Sequence, residues 1–214
     1  MSTEVTLGGE MFPENRAKRP RMNLEVESKK QSEALARRFA KQLGFSTEEY
    51  INALPKIGPR PREFEGILGI PAVPVIVESR FALPELLDIV SISSLFDPQK
   101  VEDWRDGGFE TPSKPYVTWL TYVPNKSVQE VCASLRKGQR GGRPFDGIAL
   151  YLRYPYLFNE HSFKFPGSRV GSEDAPFLSA LPNSIRTQLP AHPSLHYGSI
   201  DSKSPKFACI IASC

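Results

Sequence analysis

The sequence predicts an α+β fold: an N-terminal helical hairpin and further helices packed on one side of a largely antiparallel sheet. Three observations predict it. Helical periodicities crowd the first two-thirds of the 214 residues, and short β-branched or aromatic runs fill the last third. No regular strand–helix alternation demands a parallel sheet. The 20 prolines, about twice the average usage, argue for short elements and many loops. A chain of this length buries about 70% of the surface its unfolded state exposes, so its core needs no metal or disulfide.

Residues 1–26 have no amphipathic period and read as a flexible basic tail; residues 27–214 read as a single α+β domain. The first helix is expected over 28–43, where Leu35, Phe39 and Leu43 recur at i, i+4 and i+8. Gly44 follows at the position where a left-handed residue ends helices. Ser46 and Glu49 form a capping box for a second helix that Pro55 stops, with Tyr50, Ile51 and Leu54 as its apolar face. A proline- and glycine-rich connector leads to a buried strand over 73–79, which is short, β-branched and nearly continuous.

Leu83, Leu86, Leu87 and Val90 space a helix that tolerates Pro84 in its first turn. Asp97 and Pro98 read as the N-cap and first position of another short helix through Trp104. Residues 115–123 alternate as a strand buried on both sides. Ser127 and Glu130 cap a helix with Val128, Val131 and Leu135 inward, ending near Gly138. Residues 145–158 fit a helix capped by Asp146 or a strand over 148–152; the helix is favoured because Pro155 marks its end. From His161 onward the chain reads as strand and turn, in the runs "HSFKFP", "APFLSAL", "SLHYGSI" and "KFACIIAS".

Composition narrows the function classes. Three cysteines, Cys132, Cys209 and Cys214, are too few and too odd for a disulfide framework and suit a reducing compartment. No signal-peptide core or membrane-length apolar run occurs, so a cytoplasmic chain with no membrane partner is expected. The net charge of +3 is small but uneven. Residues 14–41 carry nine Lys and Arg against four Glu, and "RKGQRGGR" (136–143) carries four cations and no anion. "KRPR" at 18–21 matches an import or nucleic-acid patch and matches by chance as readily.

The strongest functional signal is that second stretch. Arg136, Arg140 and Arg143 would supply charge, and Gly141 and Gly142 would let a phosphate approach the backbone. The competing reading places Arg136 at a helix C-terminus and the glycines in its exit loop. The stretch lacks the Gly-Lys-Ser/Thr ending of a P-loop. A catalytic alternative is "HSFKFPGSRVGS" (161–172), where His161 and Ser168 would meet across a turn as base and nucleophile. The plainer reading, and the preferred one, is a β-turn at Pro166-Gly167. His192, His196, Cys209 and Cys214 have metal-compatible types, but Pro193 breaks the pattern and Cys209 lies in an apolar run. Neither a metal nor a cofactor is expected. The aromatics Trp119 and Tyr122 fall on opposite strand faces and cannot form one stacking platform.

"FEGILGIPAVPVIVESR" (64–80), "DWRDGGFETPSKPYVTWL" (103–120), "RGGRPFDGIALYLRYP" (140–155) and "HSFKFPGSRVGSEDAPFL" (161–178) resemble a family of uncharacterised bacterial proteins. The similarity spans about residues 45–200, and "IDSKSPKFACIIASC" departs from it. The resemblance implies a soluble bacterial protein and no activity, cofactor or site residue. The leading expectation is a binding module for an anionic partner, either nucleic acid or a phosphorylated ligand. A hydrolase or transferase around His161 and Ser168 is the alternative, and a protein partner or self-association stays open.

Overall fold

The computed structural model describes residues 22–64, 72–104, 110–180 and 193–213. The connector at 65–71 and the tail before Met22 lie outside them, as do His192 and Cys214. Among the described residues, five α-helices accompany a ten-stranded sheet, so the α+β class holds. The sheet is mixed. Most neighbours run antiparallel, but two pairs are parallel.

Helix α1 (Leu24–Phe39) begins four residues before the expected start at Ser28, because the Asn23 side chain caps the amides of Glu25 and Val26. It buries Leu35, Ala36 and Phe39. Gly44 ends the following 3-10 turn at φ 73°, and α2 (Thr47–Ala53) opens on the Ser46/Glu49 capping box. Helix α1 touches α2 and also docks on strand β1 (Val73–Val77). The docking is specific. Strand β1 terminates the sheet, and the Gln31 amide of α1 reads its open edge. Gln31 Nε2 donates to the Pro74 carbonyl at 2.8 Å, and Oε1 accepts from the Ile76 amide at 2.8 Å. A side chain thus takes the place of a neighbouring strand and closes an edge that would otherwise invite pairing.

Helix α3 (Leu83–Ile89) and the two-residue strand β2 (Ser93–Ser94) follow. The helix expected after Asp97 is a single 3-10 turn, Pro98–Lys100. Asp97 does cap it, through the Gln99 amide. Val101 then leaves for strand β3 (Val101–Asp103), because pairing with strand β7 (Ser168–Val170) satisfies more backbone groups than another helical turn would. Strand β4 (Tyr116–Pro124) matches its expected span, with Thr118 to Thr121 all buried. Helix α4 (Val128–Ser134) has the expected capping box but stops at Ser134, so Gly138 (φ 80°) serves the next turn instead.

The "basic loop" is mostly structured. Strand β5 (Gln139–Gly141) pairs with the last strand, and α5 (Pro144–Arg153) starts two residues before Asp146. The helical reading of this stretch therefore holds. Asp146 occupies the third helical position rather than the cap itself. Strands β6 (Ser162–Lys164), β7 and β8 (Asp174–Ser179) follow. Strand β9 (Ser194–Ser199) then pairs along β8, and strand β10 (Phe207–Ser213) completes the set.

The sheet order is β1-β4-β10-β6-β8-β7-β3. The C-terminal strand β10 is therefore the middle of the sheet. Antiparallel β4 covers one edge of β10; β6 and β5 share the other, at its first and last residues respectively. Ala208 to Ala212 are at most 3% exposed. Lys164 fastens the approach to β10. It is fully buried, and its Nζ donates to the carbonyls of Ser199 and Ser202 at 3.0 and 2.9 Å.

Candidate functional site

The two stretches singled out in the sequence pack against each other. Phe165 and Ser168 close the predicted turn at Pro166-Gly167 with a 3.1 Å backbone hydrogen bond. This turn lies on Gly141-Gly142, with the Gly167 amide donating to the Gly142 carbonyl at 2.9 Å. A methyl group built on Gly141 would stand closer than 3.0 Å to three backbone atoms of Pro166 and Gly167. These glycines exist for backbone-to-backbone contact. They are not an open cradle.

The arginines divide in two. Arg136 is exposed, whereas Arg140 and Arg143 are 3% and 4% exposed. From β5, Arg140 reaches the fully buried carboxylate of Asp146 with two hydrogen bonds, 2.6 and 3.0 Å. The same carboxylate accepts the Arg143 backbone amide at 2.8 Å and the Tyr116 hydroxyl at 2.9 Å. One side chain therefore caps α5, neutralises a guanidinium and anchors β4. Burial, and after it the neighbouring carboxylate of Asp146, push the Tyr116 phenol well above its ordinary range.

Arg143 sits at the N-cap of α5 and points toward β3. Its Nη1 lies 2.8 Å from Asp103 and donates to Thr111 Oγ1 at 2.6 Å. Burial holds this guanidinium below its usual value, and the nearby Arg140 adds to the effect. Asp103 is half-exposed; burial raises its carboxyl even though Arg143 pulls the other way. Beyond it, the Arg169 guanidinium lies 3.7 Å from the Trp104 ring centroid and donates to the Pro166 and Ser168 carbonyls. Arg169 is 4% exposed, and its Nε has no partner. Its register partner Glu102 forms no ion pair with it. A crevice of about 10 Å³, the room of one water, opens among Trp104, Cys132, Arg140, Arg143, Pro166 and Gly167.

His161 and Ser168 are not brought together as base and nucleophile. Ser168 is fully buried at the start of β7, beside Asp103 in register, and its hydroxyl has no hydrogen-bond partner. His161 instead packs near Tyr122 and Phe163, with ring centroids 5.8 and 6.1 Å away, and its Nδ1 is also unpartnered. No His/Cys/Asp/Glu cluster suited to a metal occurs among the described residues. Burial pushes the Cys209 thiol up to about 12. No helix among the described residues is long and apolar enough to cross a membrane.

Sequence reasoning missed Asp103 and Thr111, which sit on separate segments and meet Arg143 only in space. It also missed a hydrogen-bonded pair on β9. Ser194 Oγ and His196 Nε2 are 2.6 Å apart, on residues whose i, i+2 spacing puts them on one strand face. That spacing was readable once the strand was assigned. No family model, curated protein or solved structure matches the chain.

Proposed function

We propose that the chain is a binding module for a small anionic ligand bearing a phosphate or carboxylate group, engaged at Arg143 beside the Trp104 crevice. One observation carries the reading. Arg143, a 4% exposed guanidinium at the start of α5, is held by the half-exposed carboxylate of Asp103 at 2.8 Å and lines the crevice beside Trp104, so a buried cation stands behind an exchangeable surface anion. A planar guanidinium binds phosphate and carboxylate oxygens through strong charge-assisted hydrogen bonds, so a soluble anion can take the place of the Asp103 carboxylate. The N-terminus of the ten-residue helix α5 adds its positive dipole end to the same place. The burial of Arg140 and Arg143 favours a small ligand over a nucleic-acid backbone, which needs exposed cations.

Asp103 holds Arg143 at the start of α5. Because it is half-exposed, it is the carboxylate an incoming anion displaces. The test is thermal unfolding with inorganic phosphate, adenosine phosphates, citrate and a DNA oligonucleotide at low and high salt. A concentration-dependent rise with a small anion is expected. It should be lost in Arg143→Gln and kept or strengthened in Asp103→Asn. No rise with any small anion up to about 10 mM, where even a millimolar Kd stabilises by more than 1 kcal/mol, would overturn the reading. So would a rise that survives Arg143→Gln. The expected kinship with uncharacterised bacterial proteins adds no chemistry to it.

A further inference from the structure

We infer that Ser194 is an activated nucleophile, with His196 as its base, able to take an acyl or phosphonyl group from an activated ester. The inference is independent of the anion site. Ser194 Oγ lies 2.6 Å from His196 Nε2, within the range a proton transfer requires. The imidazole is also held in place. It stacks on Phe177 with ring centroids 5.0 Å apart and an interplanar angle of 7°, so its edge stays aimed along the strand at the serine. Burial lowers the His196 pKa, which keeps the ring neutral and able to accept a proton at neutral pH.

The surroundings suit the role. Strand β2 covers β9 only at Ser194 and Leu195, so the pair lies where that cover ends. Ser194 is 7% exposed and His196 half-buried, so the imidazole is the more open member of the pair. Ser179 is the register partner of Ser194 and shares its face. It accepts a 2.9 Å hydrogen bond from Ser162, so further hydroxyls extend the polar floor of the site.

In the reaction the Ser194 oxygen bonds to the acyl carbon or phosphorus. The bond to the leaving group breaks, fluoride or phenolate departs with its electron pair, and the serine proton passes to His196 Nε2. The experiment treats the full chain with an alkyl fluorophosphonate and maps the adduct by peptide mass spectrometry, in native buffer and in urea. Ser194 should be modified about 100-fold faster in the native chain than in the unfolded one, the range general-base assistance provides. His196→Gln should remove most of that acceleration, and Phe177→Leu part of it. Native modification of Ser194 no faster than in urea would overturn the inference, as would an unchanged native rate in His196→Gln with folding intact by circular dichroism.

Discussion

Replacing Asp146 with alanine would strand the Arg140 guanidinium inside the protein. The carboxylate is fully buried and accepts four hydrogen bonds: two from Arg140, one from the Arg143 amide and one from Tyr116. Arg140 is 3% exposed and cannot reach water without moving β5. Breaking a buried pair by removing one partner costs about 3–5 kcal/mol, and loss of the helix-start interaction about 1 more. The sum, about 4–6 kcal/mol, corresponds to a fall in Tm of about 8–24 °C for a chain of this size. Urea unfolding followed by the fluorescence of Trp104 and Trp119 would measure it as a lower midpoint at constant m-value. Asp146→Asn keeps one oxygen for the Arg143 amide but loses the charge and turns the other acceptor into a donor, so it should fall between wild type and alanine. A loss under about 1 kcal/mol in Asp146→Ala would refute the reasoning, because Arg140 would then have found water or another partner at little cost.

Three further outcomes are expected. Gln31→Leu leaves the Pro74 carbonyl and Ile76 amide of the β1 edge unsatisfied and should cost about 2–4 kcal/mol. Native-state hydrogen exchange should report it as lost protection at Ile76. The buried Glu78 carboxyl is pushed up by desolvation but pulled further down by Arg80 and the Tyr50 hydroxyl, so its folded pKa lies below the ordinary 4.5. Its contribution is present above that value and is lost as pH falls through the folded one. Tm should therefore decline below about pH 4.5, less steeply in Glu78→Gln. Cys209, buried and with its thiol raised to about 12, should resist thiol reagents in the native state, whereas the partly exposed Cys132 reacts. Native labelling of Cys209 at the rate of Cys132 would contradict the burial assigned to β10.

Elements whose signals are local were legible in the sequence. The two Ser-x-x-Glu capping boxes open helices as expected, because the cap and the amides it satisfies lie within one turn. The Pro166-Gly167 turn, the α5 helix and the strands over 73–77 and 116–124 are readable for the same reason. The short helix after Asp97 misled, since its N-cap is real but the following residues gain more from pairing with β7. Local preference loses to a sheet ladder when the partner strand is 65 residues away and invisible to a window.

The candidate site divides along the same line. The stretches "RKGQRGGR" and "HSFKFPGSRVGS" stand out in the sequence by residue type, and the fold brings the two together. Their reason differs from the one the charges suggest. Glycines 141 and 167 allow two backbones to touch, and Arg140 faces Asp146 instead of solvent. A string of letters reports charge but not the carboxylate that cancels it, since Coulomb pairing depends on distance in space.

By itself, then, the sequence determined the fold class, the capped helix starts, the principal turn and the apolar strands, because propensity, capping and alternation act over a few residues. Tertiary structure alone decided that the C-terminal strand stands at the centre of the sheet and that Gln31 closes its edge. It also decided that Ser194 meets His196 while Ser168 meets no base. These are matters of long-range pairing and burial, and only the closed fold sets the distances on which they depend.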